Sequence, residues 1–586
     1  MSAMRTAAQA GEPQRQEVTR RPLPGLPLGS EGLRQRAVGR IGGVFPLGTG
    51  GEDLAAALGA NATLLGADNR IAVDWDSCWR DGTALAVPQD WEPLLRAEAL
   101  DQVNGAFAAA WVTGTGALCL ARDPIGERTL YYAAQGGRIA FASTIHGVLA
   151  SGIVPRRLNL RAVAAYLSYA YLPGRETLAE GVFEVLPGEI VEWRDGVLAR
   201  RRFWSLPDEP LQFAGEEALR LRLRAELEDA VRRRLPHGEE AGAFLSGGLD
   251  SSLVVALACR LHERPVRTYS ISFGPEYRNE LAFSSLVAAA CGTRHAIVEL
   301  APATVVHHLD DSIALLSDPI GDPLTVPNAL LFREAAAEVG VVLNGEGGDP
   351  CFGGPKNIPM LLSELFADVA AGDDPACEGE VFARERSYLR AHLKCFDDLP
   401  AMLTCQVKDA LAQRPLEGEL KTHFEQERWR NLVSKLMALN VAYKGGHHIL
   451  PKVDALSAPF GVVARSPLFD RAIVETAFAI PPQLKLRGSV EKYLLKQAVA
   501  DLLPAVILER PKSGMLVPVE GWFKGPLLPL ARERLLDGLA RYDIVERGYL
   551  ERLLANRLGG LRPRRGAKIW LLVTLEAWIR RVLRPQ

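Results

Sequence analysis

The sequence lacks the long apolar segments of a membrane protein. Within its 586 residues no apolar run approaches the roughly 20 residues that a helix needs to cross a bilayer. It also lacks an excess of one charge, since 68 basic and 70 acidic residues give a net charge of -2. A nucleic-acid-binding protein concentrates positive charge against the phosphate backbone, and this chain shows no such concentration. We therefore expect a soluble globular protein with no membrane span and no nucleic-acid partner.

Cysteine is scarce and scattered. The eight cysteines include no CxxC pair, and the two His-His doublets have no Cys or acidic neighbour at zinc spacing. The first 38 residues do not contain the apolar core of a secretory signal. These absences argue against a disulfide framework and a structural zinc site, and they predict a cytoplasmic protein.

The length favours two or more domains, because a single core rarely supports so long a chain. Residues 1–39 are rich in Pro, Gly, Gln and Arg and predict a flexible extension. Residues 40–205 read as short strands joined by turns, typical of a hairpin-rich α+β domain. In residues 206–586 strands alternate with helices and a mostly helical part follows, which predicts a parallel sheet with a helical C-terminal region.

One turn of this second domain predicts a phosphate site. A buried strand ending at Leu245 runs into a Ser-Gly-Gly turn, and a helix follows. Glycines let the backbone approach an anion closely, and the free N–H groups at a helix start point toward it. We expect phosphate groups to bind at Ser246, Gly247, Gly248, Leu249, Asp250, Ser251 and Ser252. A carboxylate at position 250 makes sense beside a polyphosphate only with a divalent cation between them, so Asp250 is a candidate Mg²⁺ ligand.

These residues resemble the phosphate loop of the ATP-pyrophosphatase enzymes, which cleave ATP between the α- and β-phosphates to adenylate a substrate. Residues 318–323 (DPIGDP) and 341–354 (VVLNGEGGDPCFGG) narrow the resemblance to the asparagine synthetase family. The resemblance implies that Asp349 and Asp250 hold Mg²⁺ and that Glu346 positions or deprotonates the attacking amine. It also implies nucleotide contacts from Ser272, Gly345 and Gly347.

Two later segments strengthen the resemblance. Residues 465–470 (RSPLFD) and 510–518 (RPKSGMLVP), followed by Trp522, look like further family motifs. The resemblance implies that Lys512 contacts the α-phosphate. A flexible point charge suits that role, because negative charge develops there during the reaction. Lys512 and Glu346 are therefore the expected catalytic residues.

The N-terminal part resembles the glutaminase domain of the same family at residues 103–107 (VNGAF) and 121–132 (ARDPIGERTLYY). Such a glutaminase uses an N-terminal cysteine, whose thiolate attacks the amide while its free amine acts as base. Aligning residues 41–45 on the family start places Gly39 at that position, behind 38 further residues. No glutamine-gripping NGEIYN segment occurs near residues 74–82. The resemblance implies an Ntn-hydrolase-like αββα domain without glutamine hydrolysis, followed by an adenine-nucleotide α-hydrolase-like synthetase domain.

An adenylating domain without an ammonia supply needs another amine, and one on the substrate itself is the simplest source. Family members of this kind are β-lactam synthetase, carbapenam synthetase and the lasso peptide cyclases. β-Lactam synthetase has tyrosine at the position of Glu346, which weakens that alternative. We expect a lasso peptide cyclase acting on a precursor core peptide, with a leader protease and a precursor-recognition protein as partners.

Two other possibilities stay open. The protein could be an asparagine synthetase or related amide ligase that uses ammonia or a small amine. A non-catalytic scaffold is the other possibility, and intact Asp250, Asp349 and Lys512 argue against it.

Overall fold

The computed structural model describes residues 18–22, 40–46, 62–64, 70–354, 382–510, 514–559 and 564–584. Gly39, Lys512 and most of the N-terminal extension lie outside these ranges. No described helix combines the length and apolar character needed to cross a membrane. The seven described cysteines are free thiols, as their scattered positions predict.

The described residues form strands β1 to β19, which are, in chain order, Val18–Pro22, Arg40–Phe45, Ala62–Leu64, Ile71–Arg80, Thr83–Ala84, Asn104–Val112, Leu118–Arg122, Tyr131–Gln135, Arg138–Ala142, Phe183–Glu184, Glu189–Arg194, Val197–Arg202, Ala241–Phe244, Val266–Ser272, Arg294–Glu299, Val341–Leu343, Val463–Arg465, Leu486–Arg487 and Val490–Glu491.

The described α-helices α1 to α24 are Trp91–Arg96, Ile145–Ala150, Leu160–Tyr169, Glu216–Arg234, Leu249–Leu261, Leu281–Cys291, Pro302–His307, Leu309–Ala314, Thr325–Ala336, Gly348–Phe352, Ala383–Ala391, Leu399–Met402, Cys405–Gln413, Leu416–Phe424, Leu432–Leu439, Leu450–Ser457, Arg471–Ala479, Pro482–Lys485, Tyr493–Ala498, Ala505–Glu509, Val519–Trp522, Leu528–Arg532, Arg547–Leu554 and Arg565–Trp578. Wider π-helical turns occur at Asn440–Ile449, Glu533–Gly538 and Ile579–Leu583.

The N-terminal half is a four-layer sandwich of helix, sheet, sheet and helix. One sheet has the strand order β10-β8-β9-β2-β3 and the other β12-β11-β7-β6-β4-β5. Strand β6 shows why two sheets pack together. Its Ala108 and Ala110 face the core between the sheets, while Phe107 and Trp111 face the opposite side. Both faces of this strand are therefore buried, as the αββα architecture requires.

The second half is built on a six-stranded parallel sheet with the order β1-β15-β14-β13-β16-β17. Helices separate consecutive strands of this sheet, and the chain after β16 is mostly helical. The sequence-based prediction of a parallel-sheet domain with a helical C-terminal part is confirmed. Because all strands run the same way, their carboxyl ends meet at one edge, which is where such sheets bind ligands.

The first strand of this sheet comes from the N-terminal extension. Val18–Pro22 pairs in parallel with β15, and Arg21 donates to Glu334 and Glu338, each at 3.0 Å. For these five residues the expectation of a flexible extension is wrong. The pairing partner lies more than 270 residues away, so no local pattern could reveal it.

Buried ion pairs join the two halves. Arg122, which is fully buried, donates to the Gly446 carbonyl at 2.8 Å and also pairs with Glu184. The far carboxylate oxygen of Glu184 contacts His447 Nδ1 at 2.7 Å. From the other side, Arg465 Nη2 reaches Asp76 Oδ1 at 2.7 Å. The motif that resembles a glutaminase segment thus holds the synthetase half in place.

Glu127 of this interface is expected to make stability depend on pH. Burial raises the pKa of Glu127 to about 7 from an ordinary 4.5, although Arg234, at 3.0 Å, opposes the shift. The folded protein then holds a proton that the unfolded chain has released, so the group lowers the free energy of unfolding as the pH rises from about 4.5 to about 7. We predict that Glu127→Gln is more stabilising, or less destabilising, at pH 8 than at pH 5. The measurement is the difference in thermal midpoint between the variant and the wild type at each pH.

The exposed Glu180 supplies the matched control, because Glu180→Gln should show the same offset at both pH values. An offset for Glu127→Gln that does not change with pH would contradict the prediction.

Candidate nucleotide and acyl site

A cavity of about 230 Å³ opens at the carboxyl ends of β13, β14 and β16. Strand ends, the Ser-Gly-Gly turn, the helices α5, α9 and α10 and the wider turn Asn440–Ile449 contribute its walls. The lining residues are Phe244, Leu245, Ser246, Gly248, Asp250, Ser251, Tyr269, Ser270, Ile271, Glu280, Leu324, Asn328, Leu331, Asn344, Gly345, Glu346, Gly347, Asp349, Pro350, Lys444, Ile449, Gly514 and Met515.

The Ser-Gly-Gly turn is shaped for an anion. Gly247 has a φ of 79°, and a Cβ there would lie 2.6 Å from the Ser284 nitrogen, so only glycine fits. The hydroxyls of Ser246 and Ser251 are hydrogen bonded to each other at 2.9 Å. Helix α5 (Leu249–Leu261) begins directly after the turn, which leaves its first N–H groups at the cavity. The local sequence alone predicts this arrangement.

The two predicted metal ligands converge on the turn. Asp250 lies in the first turn of α5, and Asp349 lies in the short helix Gly348–Phe352. Glycine makes their approach possible, because a Cβ at Gly348 would lie 2.2 Å from Asp250 Oδ1 and one at Gly354 would lie 2.6 Å from Asp349 Oδ1. Two residues 99 positions apart thus present their carboxylates to one point, as the resemblance implies.

Lys492 lies between these carboxylates. Its ammonium is 2.8 and 2.7 Å from the two oxygens of Asp250 and 2.5 Å from Asp349 Oδ1. The side chain is 3% exposed and the backbone has a left-handed φ of 53°, a strained conformation for a residue with a side chain. Sequence reasoning did not find Lys492, since it belongs to none of the motifs that carry the resemblance.

The donor set fits magnesium with a nucleotide. Among the described residues no group of three or more His, Cys, Asp and Glu side chains could hold a metal alone. Mg²⁺ does not need such a group, because it is commonly held by one or two carboxylates together with substrate phosphates and water. Asp250 and Asp349 supply two carboxylates beside a phosphate cradle, and Lys492 shows that this point attracts positive charge.

Glu346 lies at the cavity wall beside a buried ion pair. Lys452 Nζ is 2.6 Å from Asp322 Oδ2. Burial lowers the pKa of Lys452, but the charges of Asp322 and Glu346 outweigh it and raise the pKa overall. Burial also disfavours ionised Asp322, yet Lys452 and His448 hold its pKa well below the usual range. The charge of Glu346 thus acts on Lys452, which itself pairs with Asp322.

A second ion pair fixes the Ser-Gly-Gly turn from outside. Arg510 Nη1 donates to the Gly247 carbonyl at 2.8 Å, and its other nitrogen pairs with Glu280. The guanidinium also lies 3.9 Å from the centre of the Phe283 ring. Arg510 is the first residue of the RPKSG motif and contacts the phosphate turn, while residues 511–513 lie outside the described ranges.

The other predicted residues divide into two groups. Gly345 and Gly347 line the cavity, and a Cβ at Gly345 would lie 2.4 Å from the Ser251 nitrogen. Leu249, Ser252 and Ser272 are buried, but none of them is among the described residues that line the cavity. The expected nucleotide contact of Ser272 therefore has no support. Lys512 lies outside the described residues, and its catalytic role stays a prediction.

Two regions of the chain match known protein families. Residues 222–580, well over half of the chain, match the asparagine synthase family, and residues 92–204 match a glutamine amidotransferase domain. The chain belongs to the asparagine synthase family.

Three relatives illustrate the range of similarity. The asparagine synthetase [glutamine-hydrolyzing] 1 of Bacillus subtilis is 25% identical, covering 85% of this chain and 82% of its own length. The asparagine synthetase [glutamine-hydrolyzing] 3 of the same organism is 28% identical, covering 71% of this chain and 68% of its own length. The amidase chry2 of Gibberella zeae is 22% identical, covering 77% of this chain and 74% of its own length.

Membership of the asparagine synthase family makes this protein an ATP-dependent carbon–nitrogen ligase, which agrees with the sequence-based prediction. The family implies ATP as a substrate and typically Mg²⁺. The cavity described above lies within the part of the chain that matches the family, and Asp250, Asp349 and Lys492 all belong to it.

Lys492 is expected to be essential for turnover. Removal of a preorganised positive charge from the reacting phosphate typically costs 10²–10³ in rate. We predict that Lys492→Met lowers AMP formation by about that factor at saturating ATP, measured by single-turnover release of AMP. The exposed Lys524 offers a control, and Lys524→Met should retain the wild-type rate.

Wild-type turnover in Lys492→Met would remove this residue from the mechanism. The same assay on Lys512→Met tests the sequence-based expectation for that lysine separately.

Proposed function

We propose that this protein forms an amide bond within one substrate after adenylating its carboxylate, and that the substrate is a peptide. The specific reaction is that of a lasso peptide cyclase. The side-chain carboxylate of an Asp or Glu in a processed core peptide reacts with ATP, and the N-terminal amine of the peptide then closes a macrolactam. AMP and pyrophosphate are the by-products.

The observation that carries this proposal is the lack of a usable thiolate in the glutaminase-like half. Residues 1–205 contain only two cysteines, Cys78 and Cys119. Both are buried, and burial raises the pKa of Cys78 well above its usual range and that of Cys119 to about 12. The Cys78 thiol donates to the Ala106 carbonyl at 3.2 Å. Thiols of this kind do not attack a carboxamide at neutral pH, so glutamine does not supply the nitrogen.

The first step uses the groups around the Ser-Gly-Gly turn. A substrate carboxylate oxygen attacks the α-phosphorus of ATP, the bond to the bridging oxygen breaks, and pyrophosphate leaves. The N–H groups at the start of α5 hold the phosphates, and Asp250 and Asp349 would hold Mg²⁺, which neutralises phosphate charge when bound. Lys492 is placed to move from these carboxylates onto the α-phosphate, where negative charge increases.

The second step uses the opposite wall. The amine nitrogen attacks the acyl carbon, the carbon–oxygen bond to AMP breaks, and the amine loses a proton. Glu346 orients the amine and accepts that proton. Lys492 stabilises the departing AMP.

The composition of the cavity supports a substrate other than free aspartate. A free amino acid presents an α-carboxylate, which enzymes commonly grip with arginine. The described lining contains four acidic residues and Lys444, and it includes no arginine. A side chain within a peptide carries no α-carboxylate and needs no such partner.

The relatives favour a second candidate, an asparagine synthetase that uses ammonia or a small amine. Two of the three compared proteins carry the asparagine synthetase name. Adenylation would be unchanged, and ammonia would take the place of the peptide amine.

One experiment separates these functions. The purified protein with Mg²⁺ and ATP is incubated with a leaderless core peptide, or with aspartate and ammonium. We predict AMP formation together with the loss of one water mass from the peptide, measured by mass spectrometry, and no asparagine. Asp250→Asn should abolish both signals.

Production of asparagine, with no peptide losing water, would replace the proposal with the second candidate. AMP formation by neither substrate would contradict both.

Glutamine hydrolysis is tested separately. We predict no glutamate release above the background when glutamine, ATP and each acceptor are present, because no thiolate is available. Cys78→Ser should leave this result unchanged. Steady glutamate release in step with AMP would restore a glutamine-dependent amidotransferase.

A further inference from the structure

We propose that the side-chain amide of Asn344 binds the acyl carbonyl oxygen of the adenylated substrate and stabilises the negative charge that develops there. This inference rests on the proposed adenylation chemistry and adds a catalytic residue to it.

Asn344 stands at the cavity wall and has a buried side-chain donor that no described residue uses. The residue lines the cavity and is only 4% exposed. Its Oδ1 accepts a hydrogen bond from the Glu346 N–H at 3.0 Å. Its Nδ2 is buried and has no hydrogen-bond partner among the described residues. Since an unpaired buried donor is unfavourable, a ligand oxygen that accepts from it would recover that free energy.

The orientation of this amide is fixed by chemistry. A flipped amide would set its NH₂ group against the Glu346 N–H, donor against donor. The amide oxygen must therefore face the backbone N–H of Glu346, and the amide nitrogen must point away from it. The side chain is thus held in place before the substrate arrives, which is the condition for a strong electrostatic contribution to catalysis.

The order of strands assigns the ligand atom. Tyr269, Ser270 and Ile271 of β14 line one side of the cavity, and the phosphate turn follows β13 in the middle. Asn344 follows β16, on the far side of the phosphate turn from β14. A nucleotide with its base beside β14 and its phosphates on the turn presents its acyl group beside β16. Asn344 is also two residues from Glu346, which faces the attacking amine.

The amide acts when the amine attacks. The nitrogen–carbon bond forms, the carbonyl π electrons move onto oxygen, and the Nδ2–H stabilises that oxyanion. The electrons then return, the bond to AMP breaks, and Glu346 takes the amine proton. No further reactant is required.

Binding of a stable analogue tests the contact without turnover. The probe is β-aspartyl sulfamoyl adenosine, which contains the acyl carbonyl whichever amine the enzyme uses, and AMP is the reference ligand. Asn344→Asp keeps the acceptor for Glu346 and replaces the donor by a carboxylate oxygen. We expect this variant to bind the probe about 10- to 100-fold more weakly, measured by calorimetry, and to bind AMP within about twofold of wild type.

Two further variants keep the test decisive. Asn344→Ser removes the long donor without adding charge. It should lower the affinity for the probe about tenfold and leave the affinity for AMP unchanged. Asn328→Asp puts the same charge change on the opposite wall and should weaken probe and AMP by similar factors. In single turnover, Asn344→Asp should slow amide closure more than pyrophosphate release.

Equal losses for the probe and AMP in Asn344→Asp and Asn344→Ser would overturn the inference. A reduced affinity of Asn344→Asp for AMP that disappears when 2′-deoxy-AMP or 3′-deoxy-AMP is the ligand would also overturn the inference. That result would assign the amide to a ribose hydroxyl. Failure of any peptide to cyclise contradicts the proposed function but leaves this measurement intact, because the probe contains no peptide.

Discussion

The synthetase site depends on the attraction between Lys492 and two aspartates. Asp250 and Asp349 would repel each other if they stood alone at the start of α5, and the buried ammonium offsets that repulsion. The same ion pair ties the segment before α19 (Tyr493–Ala498) to the phosphate turn. A site so arranged is held together before ATP binds, and arrival of a metal ion would release Lys492 for the phosphate.

The glutaminase-like half is also part of the scaffold. Arg122 is fully buried and bridges to the synthetase backbone, and Arg128 reaches Asp454 at 3.0 Å. Loss of one partner of a buried ion pair typically costs 3–5 kcal/mol, since the other charge stays uncompensated. These contacts make the glutaminase-like motif a structural link between the two halves, whatever chemistry its own domain performs.

The sequence could predict what is local and could not predict what is distant. Strands β9, β13 and β16 and the Ser-Gly-Gly turn follow from apolar runs and glycine within a few residues of one another. Lys492 pairs with a carboxylate 242 residues away, and its selection over other lysines depends on a backbone φ that no spacing encodes. Strand β1 was missed for the same reason, because its contacts are with β15, Glu334 and Glu338, all more than 270 residues away.

Under the proposed chemistry, the sheet divides the site between two strands. The Ser-Gly-Gly turn and Asp250 follow β13, whereas Asn344 and Glu346 follow β16. A substitution at Asn344 or Glu346 would therefore act on the acyl carbonyl and on the attacking amine, and a substitution in the turn would act on the phosphates. Adenylation and amide closure would thus depend on different strands, so each step could be altered without rebuilding the other.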